Sequence, residues 1–102
     1  MLLVIDNGYV YITKVSSILS SNNTKYTISP VHQIAQTDWN RFDSFILSGR
    51  RKNDQKMNAS NSEIINHAVS EKKSLLGICY GAEILALTLG GTIRKLAGVA
   101  VS

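Results

Sequence analysis

Three short apolar runs, each broken off by a small or polar turn, constrain this chain most. They are Leu2-Leu3-Val4-Ile5 before Asp6-Asn7-Gly8, Phe45-Ile46-Leu47 before Ser48-Gly49-Arg50-Arg51, and Ser74 to Ile78 before Cys79-Tyr80-Gly81. Apolar runs without alternation suit strands buried on both faces, the condition of parallel strands in an α/β sheet. Between them apolar residues return at helical spacing. Ile12, Val15, Ile18 and Leu19 mark one helix, stopped by Ser20-Ser21-Asn22-Asn23. Ile64, Ile65, Ala68 and Val69 mark a second, with a capping box at Ser60-Asn61-Ser62-Glu63 and a cationic end at Lys72-Lys73. Glu83 to Leu89 reads as a third helix, stopped by Gly90-Gly91, and Thr92 to Leu96 as the start of a further strand. Lys25 to Ile28, closed by Pro30, is a short strand, and the polar stretch from Gly49 to Asn61 reads as a loop. The expected fold is α/β, a parallel sheet with helices on both faces and its ligand site at the strands' carboxyl ends.

Composition narrows the setting. At 102 residues and 44% hydrophobic content, the chain reads as one domain near the smaller end of what folds unaided. A single cysteine excludes an internal disulfide and suits a reducing compartment, so a cytoplasmic location is expected. Met1 to Ile5 lacks a basic flank and is cut at Asp6, too short for an export signal. No run reaches the roughly 18 apolar residues of a membrane span. The net charge of +4, gathered at Arg50-Arg51-Lys52, Lys72-Lys73 and Arg94-Lys95, fits an anionic ligand or an acidic partner surface. Aromatic residues are few and not interleaved with these cations, which makes nucleic acid an unlikely partner. No metal or cofactor is expected, since His32 and His67 have no recognisable ligand partners.

The third apolar run carries the chemistry. Gly77-Ile78-Cys79-Tyr80-Gly81 has the G-x-nucleophile-x-G form of a nucleophile elbow, between an expected strand and an expected helix as that motif requires. Small residues flank a corner too sharp for side chains. The helix amino end would stabilise a thiolate, and the Tyr80 amide would offer one donor to an oxyanion. Most lone cysteines are simply small buried residues. The strand before, the helix after and the Ser48-Gly49 loop at a neighbouring strand end favour the nucleophile position.

Leu76-Gly77-Ile78-Cys79-Tyr80-Gly81-Ala82-Glu83, continuing to Leu89-Gly90-Gly91, resembles the nucleophile segment of class I glutamine amidotransferases, G-[IV]-C-x-G-x-Q followed by a helix and G-G. Tyr after Cys most resembles the amidotransferase part of GMP synthases. Val4-Ile5-Asp6-Asn7 resembles the family's first strand and D-N turn, and Phe45-Ile46-Leu47-Ser48-Gly49 its I-L-S-G-G-P strand and oxyanion loop. Order and approximate spacing match over the whole chain. The resemblance implies a flavodoxin-like sheet and a glutaminase reaction. Cys79 would attack the side-chain amide of L-glutamine, release ammonia to a synthetase domain or subunit, and leave a thioester for water to hydrolyse. It also implies oxyanion donation by the main-chain amides of Tyr80 and Arg50, with Gly49 and Glu83 at the substrate.

The sequence departs from the family in three places. The family's catalytic His and Glu form an H-x-E motif far beyond the nucleophile, in a domain nearly twice this length, and no His follows Cys79. Residues 1–102 therefore read as a partial amidotransferase domain, and the small, apolar ending Gly98-Val99-Ala100-Val101-Ser102 as cut off. Such a chain is expected to be inactive as a glutaminase by itself. His67 falls within the helix before the Cys79 strand and His32 after a Pro-containing turn; both read as surface or loop residues, not bases. Arg50 stands at the second Gly of the S-G-G-P loop and Arg51 at its Pro, and a positive φ at Arg50 would be costly. Glu83 stands where the family has Gln, and a carboxylate there would raise the pKa of a nearby thiol. Pairing of Glu83 with Arg50 or Arg51 would make these two departures compensatory. A second reading is a non-catalytic module that keeps the elbow as architecture and binds an anion or a partner through Arg50, Arg51 and Lys52. A cysteine hydrolase of another elbow-bearing family would leave the Ser48-Gly49 loop and the Gly90-Gly91 ending without a role.

Overall fold

The computed structural model, which describes residues 1–52 and 54–89, sets the apolar runs side by side. Strands β1 (Leu2–Asn7), β2 (Tyr26–Pro30), β3 (Ser44–Arg50) and β4 (Ser74–Gly77) form a parallel sheet in the order β2-β1-β3-β4. Helices α1 (Ile12–Ser21), α2 (Gln55–Ser70) and α3 (Tyr80–Thr88) and the 3₁₀ segments Val31–Gln36 and Trp39–Arg41 complete the described chain. The chain steps outward from β1 to β2, then back past β1 to β3 and on to β4. Right-handed crossovers consequently put α1 on one face and α2 on the other. The carboxyl ends of β1 and β3 flank the point where the winding reverses, where such sheets leave a crevice.

Side-chain alternation divides the core. Leu3 and Ile5 of β1 and Phe45 and Leu47 of β3 pack with Ile64, Ile65 and Ala68 of α2 and with Ile84 and Leu85 of α3. Val4 and Ile46, one residue out of phase, are buried but stand outside that cluster. The α1 face is more thinly covered: α1 has no buried residue, and Ile18 is 62% exposed. Ile12, Val15 and Leu19 of α1 are half-buried, and a polar tie to the sheet runs through the Tyr26 hydroxyl at 2.6 Å from Ser16 Oγ and 3.1 Å from Ser20 Oγ.

Element boundaries differ from the sequence expectation where polar residues are buried. The capping box at Ser60 does not start α2. Asp54 caps the helix instead, its carboxylate accepting from the amides of Lys56 at 2.9 Å and Met57 at 3.4 Å, so Ser60 to Glu63 lie inside the helix. The expected loop over Gly49 to Asn61 therefore shrinks to a short connection. β3 runs on through Ser48, Gly49 and Arg50, and α3 begins directly after Cys79, at Tyr80. The Gly90-Gly91 stop, the strand expected from Thr92 and the Arg94-Lys95 pair lie outside the described residues.

Candidate active site

Cys79 joins β4 to α3 at φ 52° and ψ −113°, a left-handed conformation rarely taken by a residue with a β-carbon and typical of residues held for function. Its neighbours show why the corner must be lined by glycine. A β-carbon on Gly81 would stand 1.9 Å from the Leu47 carbonyl oxygen, and one on Gly77 2.5 Å from the Ala82 nitrogen. The corner is pinned by Ile78 N–H to Leu47 O at 2.9 Å and closed by the Gly81, Ala82 and Glu83 amides donating to the Ile78 and Cys79 carbonyls. Cys79 occupies the N-cap position with no side-chain capping bond, leaving its half-buried sulfur at the head of the helix. Tyr80, as the first helical residue, has an amide with no acceptor inside the helix.

The neighbouring strand end is brought against this corner. A β-carbon built on Gly49 would lie 3.4 Å from Cys79 Cβ and 2.5 Å from the Tyr9 ring, so any other residue would displace that ring. Gly49 is held by a buried knot that the sequence pattern did not reveal. Asn7 N–H donates to Ser48 Oγ at 2.9 Å, and Asn7 Nδ2 to Ser48 O and Asn61 Oδ1, both at 3.1 Å. Asn61 Nδ2 returns a bond to Asn7 Oδ1 at 2.8 Å and holds Met57 O at 2.8 Å. Asn7, Ser48 and Asn61 are essentially inaccessible, and their mutual bonds offset the cost of burying them. The available signal was spacing: Met57, Asn61, Ile64 and Ala68 recur at i, i+4, i+7, i+11, with a polar residue on the buried stripe.

Arg50 does not adopt a positive φ; it closes β3 opposite Asn7, after a register shift in the β1–β3 ladder between Ile5 and Asn7. Its guanidinium lies 4.0 Å from the centre of the Tyr80 ring and donates to Asn58 Oδ1 at 3.0 Å. The Tyr80 hydroxyl donates to the same Asn58 oxygen at 2.5 Å. Burial raises the Tyr80 pKa, with Arg50 working in the opposite direction. Among the described residues no ion pair joins Glu83 to Arg50 or Arg51: Glu83 is exposed in the first turn of α3, and the Arg50 guanidinium lies on Tyr80 and donates to Asn58. Arg51 and Lys52 are exposed.

Neither histidine is brought to the sulfur. His67 lies toward the carboxyl end of α2, with Nε2 2.9 Å from Lys73 Nζ and its ring edge-on to Trp39 and Phe45, near the amino ends of β3 and β4. His32 borders a separate hollow of about 260 Å³ with Asp54 and Lys56. Tyr9 was not anticipated at the site, yet its hydroxyl stands 3.9 Å from Cys79 Sγ. It also borders an apolar cavity of about 350 Å³ shared by α1 and Ile78. Among the described residues no cluster of His, Cys, Asp or Glu has the grouping to hold a metal, and no helix is long and apolar enough to cross a membrane.

A parallel sheet with a strained cysteine corner between strand and helix, set beside a glycine-bearing strand end, defines an α/β protein of the doubly wound class. A family model for class I glutamine amidotransferases matches residues 3–100, and the chain belongs to that family. A glutamine-hydrolysing GMP synthase from Cytophaga hutchinsonii is 30% identical over 93 residues, spanning 91% of this chain and 18% of the relative. Among solved structures, a Thermoplasma acidophilum protein assigned to the GMP synthases superposes with a TM-score of 0.67 at 23% identity, covering 87% of this chain and 44% of its own. A glutamine amidotransferase from Thermotoga maritima gives a TM-score of 0.65 at 18% identity, covering 87% and 42%. The chain thus spans less than half the length of each of these three proteins, and the two superpositions establish a shared fold.

Proposed function

We propose that residues 1–102 form the nucleophile-bearing part of a glutaminase domain of the GMP synthase type. The observation that carries the reading is the strained Cys79 corner packed against Gly49, with Cβ positions 3.4 Å apart. In this reading the Cys79 thiolate attacks the side-chain amide carbon of L-glutamine. The C–S bond forms as the carbonyl π pair moves onto oxygen. The resulting oxyanion accepts from the main-chain amides of Tyr80 and Arg50, and loss of one such donor typically costs about 3 kcal/mol of transition-state stabilisation. Gly49 and Glu83 border the substrate. Collapse of the intermediate expels nitrogen, which takes up a proton and leaves as ammonia, and water then hydrolyses the γ-glutamyl thioester to glutamate and the free thiol.

The leaving nitrogen requires an acid, and His32 and His67 both stand away from the sulfur. The reading assigns that work to a His/Glu pair outside residues 1–102, and gives the ammonia to a synthetase domain or subunit that aminates a nucleotide precursor. Residues 1–102 alone are then expected to capture glutamine-like electrophiles without turning glutamine over. The test is labelling by a chloroketone analogue of glutamine, followed by intact-protein and peptide mass spectrometry. The expected result is a single adduct on Cys79, slowed by L-glutamine and lost in Cys79→Ser. The reading is overturned if L-glutamine gives no protection and a chloroketone without the amino-acid skeleton labels equally fast.

A further inference from the structure

The turn after β1 delivers a phenol to the elbow that the glutaminase reading does not use. Asp6 Oδ1 accepts from the Gly8 amide at 2.8 Å and the Tyr9 amide at 3.3 Å, and Gly8 takes φ +88°, so the turn directs the Tyr9 side chain across the strand ends. The ring settles on Gly49, where a β-carbon would come within 2.5 Å of it, and Tyr11 braces it edge-on with centroids 5.6 Å apart. These contacts fix the hydroxyl 3.9 Å from Cys79 Sγ.

Other charged groups stand around the elbow. Arg50 comes from the end of β3 and lies on Tyr80; Glu83 comes from the first turn of α3, Asp54, at the head of α2, acts on Tyr80, and Asp6 comes from the base of the Tyr9 turn. Lys14 of α1 lines the cavity beyond Tyr9 and Ile78. Glu83 opposes a thiolate, whereas the head of α3 favours one. Tyr9 supplies a hydroxyl within hydrogen-bond reach of the sulfur itself. A donor to the charged form of an acid stabilises that form.

We infer that Tyr9 is a positioning residue for Cys79: once the thiol has released its proton to solvent, the Tyr9 hydroxyl donates to the thiolate and holds the sulfur beside Gly49. The inference rests on the reading of Cys79 as a nucleophile, but not on glutamine as its substrate. It is tested by the pH profile of Cys79 alkylation with iodoacetamide, a reagent without a glutamine skeleton, in which sulfur bonds to the methylene carbon and iodide leaves. Tyr9→Phe keeps the ring on Gly49 and removes only the hydroxyl. Its alkylation midpoint is expected to rise by about half a unit, roughly a threefold loss of thiolate below the midpoint. Tyr11→Phe, the same change in the bracing ring, is expected to keep the wild-type midpoint. An unmoved midpoint in Tyr9→Phe, an equal shift in Tyr11→Phe, or a wild-type Cys79 that resists alkylation up to about pH 10 would overturn the inference. A shift in Tyr9→Phe without glutamine protection in the chloroketone experiment would sink the glutamine reading and leave this one standing.

Discussion

Cys79 is held in a conformation that its own β-carbon disfavours, and the surrounding bonds keep it there. Cys79→Gly removes the disfavoured β-carbon, whereas Cys79→Ala keeps it. We therefore expect Cys79→Gly to be more stable than Cys79→Ala by about 1 kcal/mol in urea denaturation, even though Gly also gains freedom in the unfolded chain. Equal stability, or a less stable glycine variant, would show that the corner holds no strain. This residue was legible in the sequence because G-x-C-x-G encodes its own steric requirement: Gly77 and Gly81 stand where backbone passes too close for any side chain. Tyr9 was not legible. Its approach to Cys79 joins positions 70 residues apart through a ring lying on Gly49, and no local spacing records that contact. The Glu83 pairing failed for a related reason, since sequence shows opposite charges but not that a cation can lie on an aromatic face.

At the level of elements, β1, β3, β4 and the apolar part of α2 could be read from hydrophobic pattern, whereas the first half of α2 could not. Its buried stripe includes Asn61, and its half-buried Asn58 carries both Arg50 and Tyr80, so a search for apolar period sees only a polar loop. Those asparagines couple α2 to β3 and to the head of α3, which makes α2 part of the site's scaffold. The coupling predicts a pH dependence. Burial favours the neutral Tyr80 phenol and raises its pKa above the ordinary 10.0, so its contribution to stability is full below about pH 10 and is lost as pH rises through the higher folded-state value. Tyr80→Phe, which removes the bond to Asn58, is expected to be about 1 kcal/mol less stable than wild type at pH 8. That gap should close as urea midpoints are followed above about pH 10. A gap of constant size would mean that the Tyr80 hydroxyl does not couple α2 to α3.

Over the whole molecule, the winding order β2-β1-β3-β4 explains why the three apolar runs also bound the site. Reversal at β1 brings the Asp6-Asn7-Gly8 turn, the Gly49 strand end and the Cys79 corner to one edge of the sheet, although they are widely separated in the chain. The fold was legible at this scale because all-apolar strands demand cover on both faces. How unequal the cover is was not legible: α2 and α3 bury one face thoroughly, while α1 leaves Ile18 and Tyr11 largely exposed. The central claim is that this edge forms one glutamine-shaped site in which Cys79 is the nucleophile and the Tyr80 and Arg50 amides receive the oxyanion. The aldehyde analogue of glutamine tests it most directly, because thiolate addition gives a reversible thiohemiacetal whose oxygen occupies the oxyanion position. Amide proton NMR of the chain with this aldehyde should show saturable downfield shifts at Tyr80 and Arg50 that vanish in Cys79→Ala. Adduct formation with those two amides unmoved, or no adduct on Cys79 at saturating aldehyde, would contradict it.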